Sequence, residues 1–179
     1  MYPPAYTPPM LREGRLDYPL SIAKRAAFEL RSEIITQFNH FYINKIVIAG
    51  SILRKKEFVH DIDIVINSQE EKLRTYCAYL IHAPVMYQKI SGIYKNIPCQ
   101  IWFCNNEQWA PMLLEITGPR NFNQFLRNCA KRQGLYLSSK GLFTRNSDGT
   151  PGTRVDNNTE GNIIWTILGK AWIPPEKRF

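Results

Sequence analysis

Residues 50–64 read GSILRKKEFVHDIDI, and this stretch decides the fold. Because side chains alternate between the two faces of a strand, Ile62 and Ile64 would point into the core. Asp61 and Asp63 would then lie side by side on the opposite face. Neighbouring carboxylates repel each other unless a cation offsets their charge, and such hard oxygen ligands suit Mg²⁺ or Mn²⁺. The pattern therefore predicts a divalent metal site.

The start of the same stretch predicts a phosphate-binding turn. Gly50 lets backbone amides approach a ligand closely, and Ser51 adds a hydroxyl and its own N–H. Arg54 and Lys55 follow with cationic groups that can hold a triphosphate. Either feature alone is common, since an Asp-x-Asp on a strand is often only a polar face. Together, about ten residues apart, they indicate nucleotidyl transfer.

Composition sets limits on the partners. The chain has 179 residues with 44% apolar side chains, which excludes disordered, collagenous and coiled-coil classes. Twenty-three Lys and Arg against fifteen Asp and Glu give a formal charge of +8, which favours a polyanion such as nucleic acid. The four cysteines show no metal-binding spacing, so we expect reduced, mostly buried thiols.

The sequence pattern predicts neither a secretory signal nor a membrane span. The proline-rich start lacks the basic leader and apolar core of a secretory signal, and no apolar run reaches the roughly 20 residues that span a bilayer. We therefore expect an intracellular, soluble protein without a membrane partner, and a monomer by default.

Periodicity along the chain predicts an α+β fold, and the family resemblance described below implies that its sheet is mixed. We divide the chain into a Pro-rich tail (1–14), a larger N-terminal part (15–106), which is called the palm below, and a C-terminal subdomain (107–179). Within the palm the predicted elements are a helix over Leu16–Phe38, strands over Ile43–Ala49 and Ile62–Ile66, a helix over Glu70–His82, a hairpin turn around Ser91-Gly92 and a strand over Cys99–Cys104. The C-terminal subdomain has predicted helices over Gln108–Ile116 and Pro119–Gln133, then Leu135–Phe143, a polar loop through Asn157-Asn158 and the segment Glu160–Lys170.

The Gly-Ser and Asp-x-Asp pair resembles the nucleotidyltransferase superfamily, and later motifs narrow the resemblance. These are Thr117-Gly118, Asn123 and Arg127 on a basic helix, Gly134-Leu135, Gly141-Leu142-Phe143 and Trp172–Arg178. From about Leu16 to the end the chain resembles the C-terminal half of family X DNA polymerases, the group of DNA polymerase beta. The resemblance implies a polymerase beta-like palm and a minimal stand-alone member of viral or phage type without the lyase domain, located in the host cytoplasm if viral.

The resemblance also implies roles for single residues. Asp61 and Asp63 would be catalytic metal ligands, while Gly50, Ser51 and Arg54 would hold the β- and γ-phosphates. Thr117 and Gly118 would form the bend under the sugar, and Asn123 would contact the incoming base. Arg127 and Lys131 would contact the DNA. Asn123 and Arg127 lie one helical turn apart and could equally be a solvated helix face, and Thr117-Gly118 could be a simple helix break.

Three positions depart from the family pattern. Where the family has a third catalytic carboxylate, the spacing leads to Gln100. This residue could be an engineered change, the mark of a naturally weak enzyme, or the mark of a protein that binds without chemistry. Glu115-Ile116 replaces an aromatic pair before Thr117. The resemblance therefore does not predict whether the site selects deoxyribonucleotides or ribonucleotides. Leu53 replaces a second arginine, with Lys55 and Lys56 as the nearby compensating charges.

Together these features predict a Mg²⁺-dependent enzyme, in which Mn²⁺ can substitute, that adds dNMP from dNTP to a DNA primer 3′-hydroxyl by a two-metal mechanism. Short-gap repair synthesis is the expected setting, weakened by Gln100 in the catalytic set. Two alternatives stay open. One is nucleotidyl transfer without a template, or to RNA or another substrate, and the other is an inactive nucleotide- and DNA-binding protein.

Overall fold

The computed structural model describes residues 10–12, 15–38, 41–155 and 159–179. The strands are β1 (Met10–Arg12), β2 (Arg15–Pro19), β3 (Lys45–Ile48), β4 (Phe58–Val59), β5 (Ile62–Asn67), β6 (Lys89–Tyr94), β7 (Ile97–Cys104), β8 (Leu135–Ser138), β9 (Gly141–Arg145) and β10 (Pro151–Val155). The helices are α1 (Leu20–Gln37), α2 (Gly50–Leu53), α3 (Glu71–Leu80), α4 (Trp109–Thr117), α5 (Arg120–Arg132) and α6 (Glu160–Leu168), with a short 3₁₀ turn at Pro175–Lys177. Most of the predicted tail and the loop residues Asn157-Asn158 lie outside the described residues.

The palm is built on a four-stranded mixed sheet in the order β3-β5-β7-β6. Strands β5 and β7 run parallel, and the other neighbours are antiparallel. One face of the sheet carries Ile62, Ile64 and Ile66, which are fully buried with the apolar sides of α1 and α3. The opposite face carries Asp63 and Gln100 near one end, while Val65 and Cys104 further along it pack against Met112 of α4. The sheet order and the packed helices confirm the predicted α+β class with a mixed sheet.

The predicted helix over Leu16–Phe38 is wrong at its start. Residues Arg15–Pro19 form β2, and α1 begins only at Leu20. Proline fixes its own φ and pushes the preceding residue into an extended conformation, so Pro19 ends the strand and precedes the helix. Strand β2 pairs with β4, where Tyr18 lies opposite Val59, immediately before the Asp-x-Asp sequence.

The predicted hairpin turn around Ser91-Gly92 is also wrong. Both residues lie inside β6, where Ser91 pairs with Gln100. The turn falls at Lys95-Asn96, whose φ angles of 50° and 65° are those of a two-residue turn with both central residues left-handed. Gly92 is small for another reason, because a Cβ there would lie 2.0 Å from the Ile81 carbonyl oxygen.

The C-terminal subdomain has its own core. Helices α4, α5 and α6 pack on the antiparallel sheet β8-β9-β10 around the fully buried Phe122. The terminal residue Phe179 stacks edge-on against Phe122 at 5.5 Å between ring centroids, so the chain end closes over this core. The predicted helices of this region are confirmed to within one or two residues at each end.

Three of the four cysteines are buried and Cys129 is half-buried, all as free thiols. Burial raises the pKa of the Cys77 and Cys104 thiols to about 12, so these groups stay protonated. Among the described residues, no helix combines the length and apolar character needed to cross a bilayer.

Candidate functional site

The two acidic side chains lie at the start of β5, on the face opposite the core. Ile62 between them is fully buried, and Asp63 pairs in register with Gln100 on the parallel strand β7. The predicted alternation of the strand is therefore confirmed, and it brings Asp61, Asp63 and Gln100 to one place. The strand period places Asp61 and Asp63 on one face, and the parallel pairing of β5 with β7 adds Gln100.

Asp63 holds an unfavourable charge. Burial, and then the neighbouring charge of Asp61, raise its pKa to about 7. The indole of Trp102 and the positive charges of Arg54 and Lys89 lower the pKa of Asp63 and so offset part of this rise. The indole N–H itself is buried and makes no hydrogen bond of normal geometry. A carboxyl group of this kind ionises readily only when a further cation approaches, so the pair fits a divalent metal.

Both the backbone conformation and the surrounding space favour glycine at position 50. Its φ is +60°, and a Cβ there would lie 2.1 Å from Asp63 Oδ2. Ser51 follows in the same tight turn, at the first positions of α2. Its hydroxyl oxygen is buried and has no hydrogen-bond partner. The hydroxyl of Ser51 is therefore an unused donor in the turn that approaches Asp63.

Arg54 joins the palm to the C-terminal subdomain. Its Nη1 donates a hydrogen bond to the Thr117 carbonyl oxygen, and its Nε is buried without a partner. Burial lowers the pKa of this guanidinium, while the charges of Asp63 and Asp61 raise it. The predicted phosphate ligand and the predicted sugar bend at Thr117-Gly118 are therefore in direct contact.

Gln100 acts as a hydrogen-bond donor in this site. Its Nε2 donates to Asp61 Oδ2 over 3.1 Å, so an N–H faces the carboxylate where the family pattern has a third acidic group. Among the described residues, no cluster of three or more His, Cys, Asp or Glu side chains could hold a metal ion. The donor set fits a cation shared with a bound phosphate better than a cation held by protein alone.

A cavity of about 270 Å³ lies between Arg54 and the C-terminal subdomain. It is lined by Arg54, Glu115, Ile116, Gly118, Pro119, Arg120, Asn123 and Arg127. Asn123 is 8% exposed and its Nδ2 donates to the Glu115 carbonyl oxygen over 2.7 Å. The cavity has room for a sugar and base next to the predicted phosphate ligands.

The predicted DNA contacts are placed unequally. Arg127 turns inward, and its Nη2 donates to both carboxylate oxygens of Glu115 in an ion pair. Lys131, one helical turn further along α5, is exposed. Sequence reasoning treated Glu115 only as a departure from the family, and no local signal pairs it with a residue twelve positions away.

Sequence reasoning also missed Lys89 and Trp102. These residues lie opposite each other on β6 and β7, with the ammonium 4.6 Å from the ring centroid, on the same face as Gln100. Only the register of the hairpin places them there.

Comparison with known proteins supports the fold. Residues 112–179 match a family described as DNA polymerase beta thumb. A similar solved structure is the crystal structure of Leishmania infantum polymerase beta, described as a ternary P/T complex. It matches with a TM-score of 0.73 at 20% sequence identity, over 91% of this chain and 77% of that one. No match was found among curated protein sequences.

Proposed function

We propose that this chain is a family X DNA polymerase-like enzyme that transfers a deoxynucleoside monophosphate from a dNTP to the 3′-hydroxyl of a DNA primer. The polymerase beta-like fold and the thumb match over residues 112–179 support the proposal. One observation carries the proposal. Asp61 and Asp63, where burial and the charge of Asp61 raise the pKa of Asp63 to about 7, lie beside the Gly50-Ser51 turn, in which the buried Ser51 hydroxyl has no hydrogen-bond partner. A metal-bound triphosphate fits both features, because its cation can bind the carboxylates and its phosphate oxygens can accept from the hydroxyl.

Within this proposal the palm residues bind the triphosphate. Ser51 donates its hydroxyl, and the Nε of Arg54, now without a partner, donates to a phosphate oxygen. Asp61 and Asp63 hold Mg²⁺ or Mn²⁺, and a bound divalent cation neutralises charge on the phosphates and makes the primer hydroxyl easier to deprotonate. Gly50 permits the close approach, since no side chain stands between the turn and Asp63.

The C-terminal subdomain holds the rest of the nucleotide and the DNA. Thr117-Gly118 lies against Arg54, and this contact supports a sugar site between the two parts of the chain. Asn123 faces the cavity and is positioned for the base. Arg127 and Lys131 lie on one side of α5 and would contact phosphates of the template strand. A net charge of +8 supports binding of a polyanion, which weakens as salt is added.

Gln100 limits the proposed activity. It supplies no negative charge for a second metal, and its N–H already engages Asp61. We therefore propose slow synthesis, in short gaps of damaged DNA. The same hydrogen bond favours a second candidate, a protein that binds nucleotide and DNA ends without chemistry, because it stabilises the acidic pair in the absence of metal.

Primer extension on a one-nucleotide gapped DNA, with Mg²⁺ and then Mn²⁺, tests the proposal. Each of the four templating bases is used in turn, and Asp61→Ala is the inactive control. We expect slow addition of the nucleotide that matches the template, faster with Mn²⁺, and none with the control. Addition that ignores the template would instead support the transferase without a template. Complete inactivity with retained metal-dependent dNTP binding would support the binding protein.

A further inference from the structure

A second cavity, of about 290 Å³, lies at the other end of the palm sheet. It is lined by Gln69, Arg74, Tyr87, Gln88, Phe103, Cys104, Asn105, Gln108 and Lys140. Along the β5–β7 pair, the register moves from Asp63 opposite Gln100 to Asn67 opposite Cys104. Four residues of strand separate the two positions, about 13 Å, so this cavity is distinct from the candidate nucleotide site.

Arg74 is the unusual group in this cavity. It lies on α3, is only 6% exposed, and donates from Nη1 to the Gln69 carbonyl oxygen over 3.1 Å. Its guanidinium carbon lies 4.8 Å from the Tyr87 ring centroid and 5.4 Å from that of Phe103, while its Nε is buried without a partner. The Gln69 carbonyl and the two rings hold the arginine in place, and its buried Nε–H remains an unused donor.

The charge of Arg74 is not balanced by protein. The lining of the cavity contains no Asp or Glu, and within the described residues no carboxylate forms an ion pair with this guanidinium. Burying a charge without a counter-charge is unfavourable. Aromatic rings offset only part of this cost. An anion entering the cavity would supply the missing counter-charge.

The surroundings of Arg74 indicate which anion fits. Lys140 adds a second positive charge from the turn between β8 and β9, and an Arg and a Lys at one site are typical ligands of a phosphate. Tyr87 is 76% exposed and presents its ring at the same cavity, where a planar base can stack. The amide side chains of Gln69 and Gln88 line the wall and can donate to or accept from such a base.

We propose that this cavity binds a nucleoside phosphate, with the phosphate on Arg74 and Lys140 and the base on Tyr87. The phosphate can belong to a free mononucleotide or to a nucleotide of a DNA strand, since the chemistry is shared. The inference is independent of the proposed polymerase activity, because it uses none of the residues of that site.

The test is an NMR titration of the full chain in EDTA, so that metal-dependent binding at Asp61 and Asp63 does not contribute. The probes are inorganic phosphate, dAMP and a short single-stranded oligonucleotide. We expect the side-chain amide signals of Gln69 and Gln88 to shift with a saturable dAMP dependence. The oligonucleotide arm separates the sources, because tighter binding than dAMP assigns the site to a DNA strand and weaker binding assigns it to a free nucleotide.

Variants assign the contacts. Lys140→Ala, on an exposed turn, should weaken dAMP binding at least about threefold, and Arg74→Gln at least about tenfold. Lys72→Ala, exposed on the same helix but outside the lining, is the matched control and should bind as the parent does. Tyr87→Leu should weaken dAMP binding but leave phosphate binding unchanged.

Two results would overturn the proposal. One is the lack of any saturable shift at Gln69 and Gln88 with all three probes, which would make Arg74 a packing residue only. The other is a shift that Lys140→Ala and Lys72→Ala reduce equally. Since Lys140 and Tyr87 are both at the surface, these outcomes decide the matter even if Arg74→Gln does not fold.

Discussion

The palm face that carries Asp63 and the C-terminal subdomain differ in how far their charged groups are paired. In the palm, Asp63 has a raised pKa and the hydroxyl of Ser51 has no partner. In the C-terminal subdomain, acidic and basic groups satisfy each other in the pairs Glu115–Arg127, Glu107–Arg154 and Glu160–Arg178. The contrast concerns the face of Asp63 and not the whole palm, where Lys95 pairs with Glu29. Under the proposed function the face of Asp63 binds a ligand, whereas the ion pairs of the C-terminal subdomain stabilise its fold.

The largest expected effect comes from neutralising the palm charge. Asp63→Asn should reduce turnover by at least about ten thousandfold, because a metal ligand is lost. The folded pKa of Asp63, about 7, lies above its ordinary value of 3.8, so the wild type loses stability as the pH rises from about 4 through 7. The variant escapes this loss and should be about 4 kcal/mol more stable than the parent at pH 8, with little difference at pH 4.

Chemical denaturation in EDTA at the two pH values measures the stability of this variant. The control is Asp148→Asn, a fully exposed acid of the C-terminal subdomain, which should keep its activity. A variant of Asp63 that is less stable than the parent at pH 8 would show that the palm carboxylate is satisfied after all, and the contrast between the two regions would fail.

Restoring the third carboxylate is the next largest change. Gln100→Asp should raise turnover by about a thousandfold if the site is otherwise competent, since it returns a negative charge to the metal site. Gln100→Asn, which keeps the neutral amide, is the control and should give no gain. Single-turnover primer extension measures both. Intact metal binding without any gain in turnover would favour the non-catalytic binding protein.

The C-terminal subdomain is probed by breaking its buried pair. The Arg178 side chain is fully buried, pairs with Glu160 at 3.0 Å and also lies over the Phe122 ring. Arg178→Ala leaves the buried carboxylate unpaired and should cost about 3 kcal/mol of unfolding free energy. Lys177→Ala, at the exposed neighbouring position, should cost almost nothing. Equal stability of the two variants in thermal unfolding would show that this pair does not hold the subdomain.

The smallest expected effect concerns the ion pair at the nucleotide cavity. Glu115→Gln should release Arg127 for DNA, raise DNA affinity about threefold and steepen its salt dependence by about one phosphate contact. The control Glu107→Gln opens an exposed pair with Arg154 away from the cavity and should have no such effect. Unchanged affinity of Glu115→Gln across a salt titration would mean that Arg127 does not contact DNA.

Much of this fold could be predicted from local sequence patterns. The Asp-x-Asp alternation, the Gly50-Ser51 turn and helices α4 and α5 could be predicted because each depends on neighbours within a few residues. Strand β2 could not, since its apolar residues continue the helical spacing of α1 and only pairing with β4 makes it extended. The turn at Lys95-Asn96 also escaped prediction, because a lysine with positive φ gives no sequence signal.

Contacts between distant residues limited the prediction of the site. The strand period predicted that Asp61 and Asp63 share a face, and the family resemblance added Gln100. Neither could place Arg54 against Thr117 or Arg127 against Glu115. Arg74 gave no signal, since an arginine on an amphipathic helix is normally solvated, and its burial follows from two rings that approach it from elsewhere in the chain.

The central claim is that the acidic pair and the Gly50-Ser51 turn together receive a metal-bound triphosphate. A crystal structure with a non-hydrolysable dNTP and Mg²⁺ tests it most directly. We predict a cation on Asp61 and Asp63, with phosphate oxygens on the Ser51 hydroxyl and the Arg54 guanidinium. A nucleotide that binds elsewhere, while this pocket keeps the Gln100 to Asp61 hydrogen bond and no cation, would contradict the account.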